Sequence, residues 1–183
     1  MNTAFDRAWD ATGRAEGGYV DNPHDSGGPT NHGITERVAR AHGYRGHMRV
    51  LPKTLARQIA KQAYWDPLRL DEVTALDERV AAELFDTGFN AGPPAAARML
   101  QRALNALNRR GTHYADVTVD GGIGPGTLVA LRAYLARRGT GDGSTVLLRA
   151  LNGLQVELYT DLVERREKDE EFYYGWILHR VVI

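Results

Sequence analysis

Cysteine is absent from this sequence of 183 residues, which excludes disulfide bonds, thiolate ligands for zinc and thiol nucleophiles. Neither charge is in surplus, because 23 Lys and Arg side chains balance 23 Asp and Glu side chains, so the composition does not favour a nucleic-acid partner. No apolar run reaches the roughly 18 residues of a membrane span. The N-terminal stretch carries charges throughout, unlike a signal peptide. We therefore expect synthesis in the cytoplasm without a signal peptide and no stable membrane insertion.

Hydrophobic residues make up 43% of the sequence, enough for a core, and they recur mainly at the spacing of amphipathic helices. These stripes run through residues 5–12, 38–41, 51–63, 80–88, 96–107, 128–135 and 147–162. Strand signals are weak and are confined to short pieces near 18–20, 32–35 and 117–119. The pattern predicts a mainly α protein with at most a small β-hairpin near its longest polar loop.

Capping residues and prolines suggest where the helices begin and how the chain is divided. We predict that Thr35 caps a short second helix and that Ser144 caps the longest helix. The apolar end, residues 172–183, is expected to fold back onto the core. Since Pro93 and Pro94 interrupt the helical pattern, we predict an N-terminal region 1–91 and a C-terminal helical region 92–183 packed on the first.

Glu16 stands where the first helical stripe meets a long polar loop. Connections between elements usually have about four to six residues, whereas "GGYVDNPHDSGGPTNHG" fills the chain from Gly17 to Gly33. Because Glu16 continues the apolar face at the C-terminal end of its helix, burial and nearby carbonyls should both raise its pKa. A glutamic acid that keeps its proton can act as a general acid. The alternative is a solvated carboxylate, or one paired with Arg14.

Three polar residues of the loop are further candidates for the same chemistry. Asp25 is a candidate second carboxylate, since two carboxyl groups can flank a glycosidic bond as acid and base. The alternative is that Asp25 only forms an Asx turn. Thr30 and Asn31 are weaker candidates for holding a water molecule or a substrate hydroxyl.

Aromatic rings and side-chain amides suggest where a glycan would bind. Tyr19, Trp65 and Asn90 are our candidates for a substrate groove. For the two aromatic residues, packing in the core is an equally good interpretation. Asn90 could instead serve as a helix C-cap.

Two glycine- or histidine-containing segments do not support other kinds of site. His24, Asp25 and His32 match no zinc-binding spacing, so we predict no metal site and no cofactor. The segment "DGGIGPGT", 120–127, lacks the Lys-Ser/Thr pair of a phosphate-binding loop. We interpret it as a tight turn that the Asp120 side chain braces.

The loop motif resembles a known family. The segment "EGGYVDNPHDSGGPTNHGIT", residues 16–35, is similar to the opening motif of glycoside hydrolase family 108, the lysozyme-like N-acetylmuramidases. The segments "AYWDPLRLD" and "LFDTGFNAGPP" resemble later motifs of that family. "VDGGIGPGTLVAL" and "FYYGWILHRV" resemble its peptidoglycan-binding region. The resemblance extends over nearly the whole chain.

This resemblance implies a lysozyme-like fold and cleavage of the β-1,4 bond between N-acetylmuramic acid and N-acetylglucosamine, with Glu16 as the catalytic glutamate. The spacing is also similar to that of phage-type lysozymes, in which a threonine completes the catalytic set. Here Thr30 comes one residue early, and Asn31 takes the matching place. Peptidoglycan glycan strands are the implied partner of a monomeric endolysin that reaches the cell wall after holin-like or other release. The alternative is a peptidoglycan-binding or secretion-accessory protein without catalysis.

Overall fold

A computed structural model describes residues 2–15, 18–21 and 28–181 of the chain. The chain forms two compact units, Met1–Pro67 and Leu68–Ile183. The described residues are 71% helical and form one two-stranded antiparallel sheet, so the prediction of a mainly α protein with a small hairpin is confirmed.

The described part of the N-terminal unit contains three α-helices and two shorter helical turns. The α-helices are α1, Ala4–Ala15; α2, Glu36–Ala41; and α3, Lys53–Ala60. A 3-10 turn spans Met48–Val50, and a π-helical turn, Lys61–Trp65, follows α3 directly. The core of this unit contains Phe5, Trp9, Ile34, Ile59 and Trp65, all of them buried. The burial of Phe5 and Trp9 confirms the predicted buried face of the first helix.

The hairpin of the N-terminal unit consists of β1, Thr30–Asn31, and β2, Ile34–Thr35. His32 and Gly33 connect the strands with φ values of 52° and 73°. Positive φ at both central residues matches a type I′ turn, whose twist suits a two-residue hairpin. Thr35 then caps α2 by accepting a hydrogen bond from the Val38 N–H, as predicted.

The C-terminal unit contains the other six α-helices of the described chain. They are α4, Leu70–Thr74; α5, Glu78–Ala91; α6, Pro93–Leu107; α7, Pro125–Arg138; α8, Ser144–Arg165; and α9, Glu170–Arg180. A π-helical turn, Gly139–Gly143, precedes α8, and a 3-10 turn, Glu167–Asp169, precedes α9. Helix α5 packs against α4, α6 and α8, so it is central to this unit.

Helices α5 and α6 meet at a sharp corner made by glycine and proline. Gly92 has φ +87° and donates its N–H to the Gly88 carbonyl, which ends α5. Pro93 then occupies the first turn of α6, where a missing N–H costs no hydrogen bond. Gly88 itself is buried, and a Cβ placed on it would lie 2.8 Å from Cδ1 of Leu68. A side chain at this helical position would therefore require the buried Leu68 side chain to move.

The start of α8 differs from the prediction. Ser144 is the first residue of that helix and does not cap it, since its hydroxyl donates to the Asp77 carboxylate instead. Asp77 is the N-cap of α5, where its carboxylate accepts the N–H groups of Arg79 and Val80. The serine thus links two helices rather than ending its own.

The chain end folds as a helix on α8, as predicted. Trp176 of α9 lies 5.1 Å from the ring of Tyr159 in α8, measured between centroids. The hydroxyls of Thr160 and Tyr173 are 3.0 Å apart and share a hydrogen bond. These contacts leave Tyr173 and Trp176 half-buried, whereas Tyr174 and Leu178 stay exposed.

The predicted strand at 117–119 does not form in the described chain. Instead, Asn105 of α6 holds this segment by two hydrogen bonds, both at 2.8 Å, with the backbone of Val117. The next turn follows the prediction for Asp120, whose carboxylate accepts the Gly122 N–H at 2.9 Å. Gln101 of α6 donates to the same carboxylate at 2.8 Å, so α6 also holds this turn.

Candidate active site

Helix α1 leads directly to the predicted catalytic glutamate. Phe5, Trp9 and Thr12 are buried, so the face on which the sequence places Glu16 packs into the N-terminal core. The helix ends at Ala15. Glu16 and Asp25 both lie outside the described residues, so their roles stay predictions.

The polar loop is closed at its base by a pair of backbone hydrogen bonds. The N–H of Val20 donates to the Thr30 carbonyl, and the N–H of Thr30 donates to the Val20 carbonyl, each at 2.8 Å. The loop that follows α1 therefore returns to the start of the hairpin. Thr30 is half-buried, and its hydroxyl donates to the Gly28 carbonyl at 3.4 Å. A catalytic role for this threonine remains a prediction.

Tyr19 lies at the entrance of this loop among polar and charged groups. Its hydroxyl donates to the Asp21 carboxylate at 3.1 Å, and the Arg49 guanidinium lies 4.3 Å from its ring centroid. The ring of His47 is 6.3 Å away. Partial burial raises the pKa of the Tyr19 hydroxyl, and the hydrogen bond to Asp21 acts in the same direction. Tyr19 is thus a neutral, half-buried aromatic that is held in one orientation.

Asn31 is placed differently from the prediction of a substrate-binding residue. Only 4% of it is exposed. Its amide donates to the carbonyl oxygens of Met48 at 2.8 Å and Arg49 at 3.2 Å. Because both bonds hold the 3-10 turn against the hairpin, Asn31 is a positioning residue in the interior of the unit rather than a surface contact for sugar.

Trp65 also lies in the core, which corrects its prediction as a groove residue. Its exposure is 1%, and its ring meets that of Phe5 edge-on with a centroid distance of 5.3 Å. A ring buried in this way has no face available for stacking on a sugar. The core interpretation, which the sequence left open, is the one that the structure supports.

Asn90 lies in α5 of the C-terminal unit. Its side-chain amide donates to the backbone carbonyl of Asp86 at 2.8 Å and to the carboxylate of the same residue at 3.2 Å. Gly92, not Asn90, is the C-cap of α5, so the alternative interpretation of Asn90 is wrong. Glycan binding by Asn90 stays a prediction.

Glu83 is a half-buried acid that the sequence analysis did not single out. Its Oε1 atom is buried and has no hydrogen-bond partner among the described residues. The same holds for Oδ1 of Asn152, Oε1 of Gln155 and the hydroxyl of Tyr159. Burial, together with the nearby charge of Asp86, raises the pKa of Glu83 to about 8. The helical spacing of Glu83 from the buried Val80 and Leu84 could have indicated partial burial, and its i, i+3 spacing from Asp86 an acidic neighbour.

The side chains that the structure describes show no group of three or more His, Asp or Glu residues able to hold a metal ion. Within the same residues, no helix is both long enough and apolar enough to span a membrane. The described chemistry of the N-terminal unit is therefore that of an aromatic ring, carboxylates and guanidinium groups around a polar loop.

Comparison with known proteins agrees with this arrangement. Residues 9–92 match the family model described as Glycosyl hydrolase 108, and residues 95–181 match the model described as Predicted Peptidoglycan domain. The chain thus carries a glycosyl hydrolase 108 domain, followed by a peptidoglycan-binding region. This domain supports a glycoside hydrolase that acts on peptidoglycan.

A solved structure is similar to this chain over most of its length. The structure of SagA from Brucella abortus matches 94% of this chain and 86% of its own chain, at 27% sequence identity and a TM-score of 0.68. No curated protein sequence gives a significant match.

The hydrolase match ends at residue 92, whereas the first compact unit ends at Pro67. Helices α4 and α5 therefore belong to the hydrolase match by sequence but pack within the C-terminal unit.

Proposed function

We propose that the enzyme cleaves the β-1,4 bond between N-acetylmuramic acid and N-acetylglucosamine, with Glu16 as the general acid. The observation that carries this proposal is the placement of α1. The buried face of α1 packs into the N-terminal core, and the helix ends at Ala15, one residue before Glu16. An acid at that position combines an apolar environment with the partial negative charge at the C-terminal end of the helix. Both disfavour loss of its proton and so raise its pKa.

The reaction follows from an acid held in its protonated form. Glu16 donates its proton to the glycosidic oxygen, the bond to that oxygen breaks, and the sugar ring develops oxocarbenium character. A water molecule then attacks the sugar carbon and loses a proton, for which Asp25 is the candidate base. The closed base of the loop supports this assignment, because Val20 and Thr30 bring the two ends of the Asp25 segment together.

Substitution of Glu16 tests the assignment directly. Glu16→Gln keeps the shape of the side chain but cannot donate the proton, so we expect clearing of purified cell walls to fall by about 100-fold or more. Asp10→Asn is the matched control, since Asp10 is an exposed carboxylate on the same helix and should retain full activity. Equal clearing by Glu16→Gln and the wild type would remove Glu16 from the mechanism. Absence of clearing by all three would favour a binding protein.

The masses of the released fragments identify the bond. Cleavage by a muramidase leaves a reducing N-acetylmuramic acid, whereas a glucosaminidase leaves a reducing N-acetylglucosamine and an amidase releases peptides. We expect the first product. A different reducing sugar would overturn the bond assignment without removing the hydrolase activity.

We further propose that the enzyme works as a monomeric endolysin of phage type that reaches the wall after holin-like release, and that it has no nucleic-acid partner. The balanced charge of the chain and the wall-directed chemistry of the family support this proposal. Expression of the enzyme in a bacterial cytoplasm, with and without a membrane-permeabilising protein, tests it. Lysis is expected only when both are present.

A further inference from the structure

The N-terminal unit contains a strongly basic segment in a chain of zero net charge. Between Glu36 and Asp66 there are seven Lys and Arg residues and no Asp or Glu. They are Arg37, Arg40, Arg45, Arg49, Lys53, Arg57 and Lys61. Three of them form ion pairs, namely Arg40 with Glu36, Arg57 with Asp6 and Lys61 with Asp66. Among the described residues, the other four have no carboxylate within ion-pair distance.

Arg49 differs from the other three because, among the described residues, its guanidinium is positioned by an aromatic ring and not by hydrogen bonds of its own N–H groups. Its guanidinium lies over the Tyr19 ring, and its backbone N–H donates to Nδ1 of His47 at 3.2 Å. Its carbonyl accepts the Asn31 amide described above. The backbone and the side chain of this exposed arginine are therefore both fixed before any ligand arrives.

Stacking on an aromatic ring leaves the edge of a guanidinium available. Its N–H groups lie in the plane of the group and point away from the ring face, so they can donate two parallel hydrogen bonds to one carboxylate. Arg45, by contrast, already donates to the carbonyls of Arg40 and Tyr44. Arg49 is thus a prepared site for a planar anion, next to the loop that contains the candidate catalytic residues.

We propose that Arg49, stacked on Tyr19, binds a carboxylate of the peptide stems of peptidoglycan and so favours stretches of glycan whose stems carry free carboxylates. The substrate offers such groups along its length, because each muramic acid can bear a peptide with acidic side chains and a free C-terminus. The inference rests on the proposed function in taking the N-terminal unit as the part that holds the glycan. It does not depend on which residue transfers the proton.

Binding to insoluble cell walls tests this site without cleavage. Co-sedimentation would be measured in a Glu16→Gln background with three wall preparations: walls stripped of phosphate polymers, stripped walls whose carboxylates are converted to amides, and unstripped walls. We expect Arg49→Gln to raise the Kd for stripped walls by about three- to tenfold. Amidation of the walls should raise the Kd of the protein that retains Arg49 by a similar factor. Its Kd for amidated walls should then equal that of Arg49→Gln.

Two further variants separate a specific contact from general attraction. Arg45→Gln removes the same charge from the same segment and should leave the Kd unchanged. Arg49→Lys keeps the charge but loses the planar fork, so its Kd should lie between those of the arginine and glutamine forms. Equal melting temperatures for Arg49→Gln and its parent would show that the fold is intact.

Several outcomes would overturn the proposal. If Arg49→Gln raised the Kd for stripped and for amidated walls by the same factor, Arg49 would contact sugar or support the loop instead. An effect confined to unstripped walls would assign the site to phosphate polymers, and equal effects of Arg45→Gln and Arg49→Gln would leave only general attraction. The proposed catalytic function is judged separately, by wall clearing and fragment masses, so either idea can fail alone.

Discussion

Glu83 is a single residue whose protonation should affect the stability of the C-terminal unit. Its native pKa is about 8, compared with an ordinary value of 4.5. The groups around it include Asp86 on its own helix, which raises the pKa further, and Asn152 on α8, which lowers it. Between these two pKa values the native state binds more protons than the unfolded state. The free energy of unfolding should therefore decrease as the pH rises through this window.

Glu83→Gln should remove this pH dependence, because the amide has a similar shape and cannot ionise. At about pH 8 and above, we expect the variant to be more stable than the wild type by roughly 2–4 kcal/mol, since each pKa unit corresponds to about 1.4 kcal/mol. Urea unfolding between pH 5 and pH 9 would measure the difference. Glu157→Gln is the control, as Glu157 lies exposed on α8. Parallel stability curves for wild type and Glu83→Gln would contradict the prediction.

Side-chain roles were the least predictable part of the sequence. Trp65 and Tyr19 are both aromatic residues near helix or loop ends, yet one is buried against Phe5 and the other lies at the loop entrance. The sequence does not distinguish them, because the choice depends on which tertiary neighbour covers the ring. Asn31 shows the same limit, since its partners Met48 and Arg49 are far along the chain.

Helix α5 allows two opposing effects of one methyl group to be compared. Gly88→Ala gains helix propensity worth about 1 kcal/mol, but its Cβ would lie 2.8 Å from the buried Leu68 side chain. Overpacking of this kind typically costs about 1–3 kcal/mol. We therefore expect the variant to be destabilised by roughly 1 kcal/mol, measured by urea unfolding.

A second substitution separates the two effects at Gly88. In a Leu68→Ala background the space is open, so adding Gly88→Ala should increase stability rather than reduce it. Gly153→Ala is the matched control, because Gly153 is helical and has no atom within 4 Å of the added Cβ. It should be stabilised by up to about 1 kcal/mol. Loss of stability from Gly88→Ala in both backgrounds would show that the backbone, not Leu68, sets the limit.

Helices were predicted well because their cores repeat at regular spacing. The stripes at Val80 and Leu84 and at Leu128 and Leu131 are all buried. The π-helical turn at Lys61–Trp65 was not predictable in this way, since one extra residue in the turn shifts the register after α3. The tight turn at His32 and Gly33 fell within a predicted hairpin, although the sequence did not fix its exact strands.

The division of the whole molecule can be tested with fragments. Because α5 packs against α6 and α8, a fragment that begins at residue 68 retains the complete C-terminal unit. We expect fragment 68–183 to fold cooperatively, as judged by circular dichroism during heating. Fragment 92–183 follows the boundary predicted from the sequence, lacks α5, and should show a broad transition or none. Equal cooperative transitions would contradict the assignment of α5 to this unit.

The boundary between the two parts of the chain shows why a sequence pattern and the packing of helices can disagree. Pro93 and Pro94 mark a break in helical periodicity, and the two family matches meet near the same place. A break in periodicity locates a corner in the chain, but it does not show with which side a helix shares its core. Whether regions 1–91 and 92–183 behave as domains stays a prediction.

The paired hydrogen bonds between Val20 and Thr30 have a consequence for how such enzymes can diversify. Any sequence inserted between these two residues must begin and finish at the same two anchor points, whatever its length. Segments from other family members could therefore be grafted here while α1 and the hairpin keep their own packing. Substrate preference can then change by exchange of one cassette, without redesign of the scaffold that carries it.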